Sequence, residues 1–330
     1  MRLADLTGHA DGPPIETPPR ILDRIHELAA PLAIDPMPRL TERAEIWSYG
    51  RNGRVSCGGA TRLMRASDEW IAVSITRPDD EALVPAWLEC DFDWTAIERT
   101  IASRAAADIV DRGRLLALAV ARLGERRAAA PWTRAKLGDD VSPLDRPPTI
   151  VDLSSLWAGP LCTRILCDQG ARVVKVESRT RPDGARNGPA RFFDRMHHGK
   201  EMVTIDFTAA ALRELLNEAD VVVEGSRPRA LDQLGITRDG PRVWLSITGH
   251  GFADPQRNWV GFGDDAAVAG GLVVHDDNGE PCFLGDAIAD PLTGIAAARA
   301  VTEALHEGGR WLIDCNLASV AAYVSSYAGQ

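Results

Sequence analysis

The stretch TIVDLSSLWAGPLCTRILCDQGARVVKVES, residues 149–178, decides the fold. TIVDLSS reads as a strand, CTRILCDQG as a helix ending at Gly170, and ARVVKVES as a second strand. The pattern then repeats. MVTIDF (202–207) is strand-like, AALRELLNEA (210–219) helical, DVVVEG (220–225) a buried strand and PRVWLSITG (241–249) another. Strands alternating with helices long enough for right-handed crossovers predict an α/β fold with a mostly parallel sheet covered by helices, not a β-sandwich. Neither a phosphate-loop lysine motif nor a full dinucleotide glycine fingerprint follows the first strand.

Upstream of this region the text changes character. Residues 138–148 are polar and proline-bearing and read as a linker before a large domain at 149–330. Residues 46–137 read as a smaller α+β domain. In it RVSCGGATRLM and EWIAVSITRP form two strands around a polar turn at Ser67–Asp68–Glu69, and a helix starts near Asp79. DWTAIERTIASRAAADIVDRGRLLALAVARLGE (93–125) is rich in alanine and leucine at three- and four-residue spacings and should be largely helical. Residues 1–45 form a proline-rich arm with one short amphipathic helix in ILDRIHELAAPLA.

Composition bounds the function. With 330 residues, 45% apolar and 25% charged, the chain can bury a sizeable core. A net charge of −10 argues against nucleic-acid binding, which needs a concentrated positive surface. The six cysteines, Cys57, Cys90, Cys162, Cys167, Cys282 and Cys315, show neither disulfide-scaffold density nor close metal-ligand pairs and read as reduced. No metal centre or redox cofactor is implied. The N-terminus lacks an apolar signal run and no segment is apolar enough to span a bilayer, so the expected address is the cytoplasm, away from membranes.

FLGDAIADPLTG (283–294) carries two carboxylates four residues apart, the second followed by proline. Asp290–Pro291 reads as a helix start, with Asp290 as cap. A carboxylate there sees a favourable helix dipole and stays ionised, as a nucleophile requires. Asp286 reads as a solvated or turn-forming residue, so Asp290 is the candidate.

The sequence resembles the family III CoA-transferases, a group that also contains acyl-CoA racemases and carnitine-type CoA-transferases. The motifs are VDLSSLWAGPLCTRILCDQGARVVKVES, MHHGKEMVTIDF, ADVVVEGSRPRALDQLGI, WLSITGHG, GFGDDAAVAGGL and GDAIADPLTGIAAARAVTEALHEGGRWLIDCNL, in the family's order over about Thr149 to Ser326. The resemblance implies a Rossmann-like sheet, acyl-CoA and a small carboxylic acid as substrates, no permanently bound cofactor, and a homodimer of embracing chains. It implies that Asp290 attacks the acyl-CoA thioester. Ala158 and Gly159 of the WAGP turn would lie beside coenzyme A; Arg164, Lys175, Arg181, Lys200 and Arg227 are candidates for its phosphates and adenosine. Arg227 stands in SRP where the family has an NFRP-like motif. Backbone amides at Gly58, Gly59, Gly270 and Gly271 are candidate oxyanion or substrate-loop donors, against the simpler reading of glycine pairs as turns.

GRVSCGGATRLMRASDEWIAVSITRPDDEAL (53–83) resembles elements that follow the catalytic aspartate in ordinary members, so a permuted order is expected, with a separate regulatory domain as the rival. A racemase is the second enzymatic reading, weakened because Phe262 stands where the racemase branch has histidine, and phenylalanine exchanges no proton. A non-catalytic CoA-ligand-binding protein is the third. Trp157, Phe192, Phe193, Trp259 and Phe262 read either as an acyl pocket or as core.

Overall fold

Proline sets where the arm becomes helical. In the computed structural model, which describes residues 1–127, 130–138 and 141–325, Pro19 opens α1 (Pro19–Ala29) and Pro38 sits in the first turn of α2 (Met37–Trp47). A missing N–H costs nothing at those positions. Ile21, Ile25 and Leu28 make one buried face of α1 and join the main core.

The smaller unit is an antiparallel sheet, β1 (Thr61–Arg65), β2 (Trp70–Ser74) and β3 (Ala119–Arg122), with α3 (Pro78–Leu88), α4 (Trp94–Ala102) and α5 (Ala106–Leu115). Helix α3 starts where Asp80 accepts the amides of Thr76 and Arg77, at 3.1 and 2.9 Å. Met64, Ile71, Val73, Trp87, Ile97, Ile101 and Val120 form a core of its own. The expectation of helix through 125 fails at Ala117, whose φ of +58° ends the helical run. Ala119–Ala121 are then fully buried and pair with β2, because an open strand edge outweighs alanine's helical preference.

Strand β4 (Thr133–Gly138) runs antiparallel to β12 (Arg310–Asn316) in the large sheet. The expected end of the small domain at 137 therefore falls inside a strand that pairs with the large sheet. Residues 139 and 140 of the expected linker, and the last five residues of the expected large domain, lie outside the described residues.

From β5 the reading of alternating elements agrees with the structure: β5 (Thr149–Leu153), α6 (Ala158–Asp168), β6 (Arg172–Ser178), α7 (Ala190–His197), β7 (Glu201–Ile205), α8 (Ala209–Leu216), β8 (Val221–Glu224), α9 (Arg229–Gln233) and β9 (Val243–Thr248). There follow α10 (Gly263–Ala269), the hairpin β10 (Val273–His275) and β11 (Pro281–Phe283), α11 (Ala289–Glu307), and α12 (Leu317–Ser325) after β12. The seven-stranded order is β4-β12-β9-β8-β5-β6-β7, parallel except for β4. Neighbouring residues of β5 face opposite layers: Ile150 packs in the core that holds α6 and α11, Val151 in the one that holds Leu212 of α8.

This topology positions the site. From β5 the chain steps one way to β6 and β7, then returns to the other side through β8, β9 and β12. The reversal between β5 and β8 opens a crevice at the carboxyl ends of the strands, where ligands of open α/β sheets bind. Two glycines close its floor: a Cβ at Gly159 would stand 2.2 Å from Ser154 Oγ, and one at Gly225 would stand 3.2 Å from Ser154 Cβ. Helix α11 crosses α6 backbone to side chain, since a Cβ at Gly294 would lie 2.9 Å from the Ala158 carbonyl and from Leu161 Cβ. That contact brings the start of α11 beside the Trp157–Ala158 turn.

Candidate functional site

Asp290 sits in the first turn of α11, with Ile288 in the capping position. It is therefore not the cap expected from Asp–Pro. Its carboxylate turns to another helix: a Cβ at Gly263, the first residue of α10, would lie 2.5 Å from Asp290 Oδ2, and the Gly263 amide favours the ionised form. Only glycine leaves room for that approach.

Two further carboxylates close around it. Asp264 follows Gly263 and accepts the Ala287 amide at 3.0 Å, with Ser56 and Thr61 as further donors. Asp286, read as solvated or turn-forming, lies in the 285–288 turn but is fully buried there and accepts from Arg43 Nη1 at 2.8 Å; its other oxygen has no partner among the described residues. Asp264 and Asp290 stay partly exposed. Arg43 comes from α2 of the arm and is held by aromatic rings, its guanidinium 5.5 Å from the centroids of Trp47 and Tyr49 and 5.6 Å from that of Trp157.

The electrostatics follow from counting charges. Burial works against the Arg43 cation, but Asp286, Asp264 and Asp290 all favour it and its pKa is raised. Burial pushes Asp290 up to about 7; Arg43 opposes this, while Asp264 and Asp286 add to it. Asp286 is likewise pushed to about 7 by burial, and Asp264 is raised. A like-charge pair at about 4 Å costs about 4 kcal/mol at a protein's effective dielectric, so one guanidinium does not neutralise three carboxylates. The expectation that the helix dipole keeps Asp290 ionised is thus corrected: a first-turn dipole contributes about 0.3–1 kcal/mol and is outweighed. The site can deliver a carboxylate nucleophile near neutral pH and hold a proton nearby, with the group poised between its two forms.

The remaining candidates scatter. Ala158 and Gly159 form the first turn of α6 on the crevice floor. Lys175 and Lys200 are buried and engaged: Lys175 with Asp183 at 3.1 Å and with the Ser154 carbonyl, Lys200 with Asp152 at 3.1 Å, Thr163 Oγ1 at 2.7 Å and the Pro160 carbonyl at 2.9 Å. Arg164 pairs with Asp168 at 2.8 Å and donates to the Arg195 carbonyl. Arg227, after β8, is different. Burial and the like charges of Arg229, Arg77 and Arg181 lower its pKa, and among the described residues its guanidinium has no hydrogen bond or ion pair. Arg181 is exposed.

The glycine candidates divide. Gly58 borders Arg43, 3.4 Å from Nη2 to an added Cβ, while the Gly59 amide already donates to Ser56. Gly270 and Gly271 lie at the far end of α10 from Gly263, a helix length of about 10 Å. Their amides donate to Ala266 and Val268, and a Cβ at Gly270 would strike Ala322 at 2.4 Å. They serve helix ending and packing, not an oxyanion beside Asp290. Trp157, Phe192 and Phe193 are buried in the core; Phe262 is partly exposed beside Gly263. Trp259 and His250 line a separate cleft of about 250 Å³ with Arg114 and Gln256, which Asp290 does not enter.

The sequence reading missed Arg43, Asp264 and the role of Gly263. Asp264 lies in the GFGDDAAVAGGL motif. Nothing in the arm marked Arg43.

Comparison with known proteins bears on this geometry. Residues 148–328 match CoA-transferase family III, more than half of the chain. An acyl-CoA transferase of Fusarium pseudograminearum is 33% identical over 183 residues, 47% of this chain and 40% of that protein. The succinyl-CoA:glutarate CoA-transferase of Mus musculus is 31% identical over 204 residues, 55% of this chain and 47% of that one. The chain spans about half the length of these curated relatives. A CAIB/BAIF family protein from Brucella suis superposes with a TM-score of 0.49 at 30% identity, covering 56% of this chain and 55% of that one.

Proposed function

Because the chain belongs to CoA-transferase family III, we propose that it transfers coenzyme A from an acyl-CoA to a carboxylic acid through covalent intermediates on Asp290. The observation that carries this reading is a partly exposed carboxylate, poised near neutral pH, in the first turn of the helix that packs beside the Trp157–Ala158 turn. The ionised Asp290 attacks the thioester carbonyl, the C–S bond breaks, and CoA thiolate leaves from an acyl-aspartyl anhydride. The thiolate then attacks the aspartyl carbonyl, expelling the donor acid and forming an aspartyl-CoA thioester. The acceptor carboxylate attacks that thioester, and the returning thiolate takes the new acyl group and frees Asp290. Arg43 keeps enough negative charge on Asp290 for attack, and Arg227 with Arg181 and Arg77 receives the phosphates of coenzyme A.

Three further readings accompany it. The 53–83 segment is the family's small domain in permuted order, which its contact with α10 through Ser74 and Asp265, at 3.1 Å, supports. The chain acts as a homodimer, for which light scattering should read twice the 35.7 kDa protomer. It works in the reducing cytoplasm, in keeping with six free cysteines.

The test is donor treatment, gentle quenching and mass measurement of the intact protein and its peptides, starting from succinyl-CoA and glutarate, the pair named for the mouse relative. A CoA adduct on Asp290 supports the mechanism. Tight CoA binding with no adduct and no exchange across a broad acid panel leaves a binding protein instead, and α-hydrogen exchange without an acceptor leaves a racemase.

A further inference from the structure

A second convergence of side chains lies where the Gly8–His9 turn of the arm meets the β10–β11 hairpin. His9 Nε2 is 2.9 Å from Asp276 Oδ2 and 3.6 Å from Cys282 Sγ, and the three atoms lie within 4.8 Å of one another. The surroundings aim them. Asp276 Oδ1 accepts the amides of Asn278 and Glu280, at 2.9 and 3.0 Å, which leaves Oδ2 turned toward His9. Arg51 donates to the His9 carbonyl at 3.0 Å. Gly53, at φ +64°, backs the imidazole so closely that a Cβ would stand 2.5 Å from Nδ1.

A single ring nitrogen offers either a proton or a lone pair, yet a carboxylate and a buried thiol both face this one. A divalent cation satisfies all three at once. The donor set, one oxygen, one nitrogen and one sulfur, is that of zinc and excludes magnesium and calcium, which take oxygen. Tetrahedral zinc with ordinary bond lengths places nitrogen and sulfur about 3.6 Å apart, the separation found here. Nitrogen and oxygen would stand about 3.3 Å apart, a small opening from 2.9 Å that the half-exposed His9 side chain can make.

We propose that His9, Asp276 and Cys282 bind one thiophilic divalent cation, zinc in kind, with water in the fourth position. Binding expels the Cys282 thiol proton to solvent and places the imidazole proton on Nδ1, so that thiolate, carboxylate and neutral imidazole balance the two charges of the ion. The ion staples the arm that carries Arg43 to the hairpin that leads into Asp286. The ligands lie 267 and 273 positions from His9, so no sequence spacing announces them.

The full chain, stripped with chelator, is titrated with cobalt(II) and separately with zinc. One equivalent of cobalt should bind with a thiolate-to-cobalt charge-transfer band, and zinc should compete it away and raise Tm. Cys282→Ser should lose the band. His9→Gln, at a half-exposed position where folding is not at stake, should weaken binding at least about tenfold. No band in the parent, or a band and affinity unchanged in His9→Gln, would overturn the site and leave a hydrogen-bonded triad.

Discussion

Two polar clusters flank the Trp157–Ala158 turn, and their carboxylates are shifted in opposite directions although burial acts on both in the same sense. Below α6, Asp152 and Asp183 face Lys200 and Lys175, two anions against two cations. Thr163 donates to Asp152 at 2.6 Å, and His197 stands 3.6 Å from Asp183. Desolvation works against both carboxylates, yet the lysines and hydrogen bonds overcome it and hold them well below the usual range. Around Arg43 three carboxylates share one cation, and desolvation prevails. The lesson is that burial alone does not set protonation; the cations and hydrogen-bond donors facing each carboxylate decide whether it is overcome. The paired cluster is scaffold and the under-paired one is where chemistry at neutral pH becomes possible.

The largest expected effect separates the two clusters by activity. Asp290→Asn should cut CoA exchange by at least about 10⁴-fold, in line with loss of a covalent nucleophile, while Tm stays level or rises because one repelling charge is gone. Unchanged turnover in this variant would end the assignment.

Next comes stability. Lys200→Met strands Asp152 as an unpaired buried charge and should cost about 3–5 kcal/mol in urea unfolding. A loss under about 1 kcal/mol would mean that the lower cluster is not the paired scaffold described.

A smaller effect sharpens the upper cluster. Asp286→Asn removes a negative neighbour of Asp290 and releases Arg43 toward it, so the acid limb of the kcat/KM profile, near pH 7 in the parent, should move down by about one unit. Arg43→Met should move it up, with partial recovery in Arg43→Lys. A limb that ignores both changes would show that Asp290 titrates independently of them.

The smallest effect is on stability against pH, and the signs oppose. Asp286 and Asp290 have pKa values raised on folding, so their contribution is full below the unfolded value near 4 and declines as pH rises through about 7. Asp152 and Asp183 are depressed, so theirs is present above about 4 and lost on acidification. Tm should therefore peak on the acidic side of neutrality, and Asp286→Asn should flatten the fall between about pH 4 and pH 7, the interval in which the unfolded but not the folded Asp286 is ionised.

What the sequence determined by itself was local. Period and punctuation in 149–178 place a strand, a helix and a strand, because side-chain direction in each follows from backbone geometry alone. Asp290 stands out in the sequence as a candidate because Pro291 and the LTG segment follow it directly. The tertiary structure decided everything that depends on who stands opposite. Residues 119–122 became a strand because β2 offered an edge. Lys175 and Lys200, cationic and beside the crevice in sequence, were drawn into buried pairs by Asp183 and Asp152. Asp286 went inside because Arg43, 243 positions away, was there to meet it. Protonation is a sum over charges in space, and the chain order of those charges does not enter it.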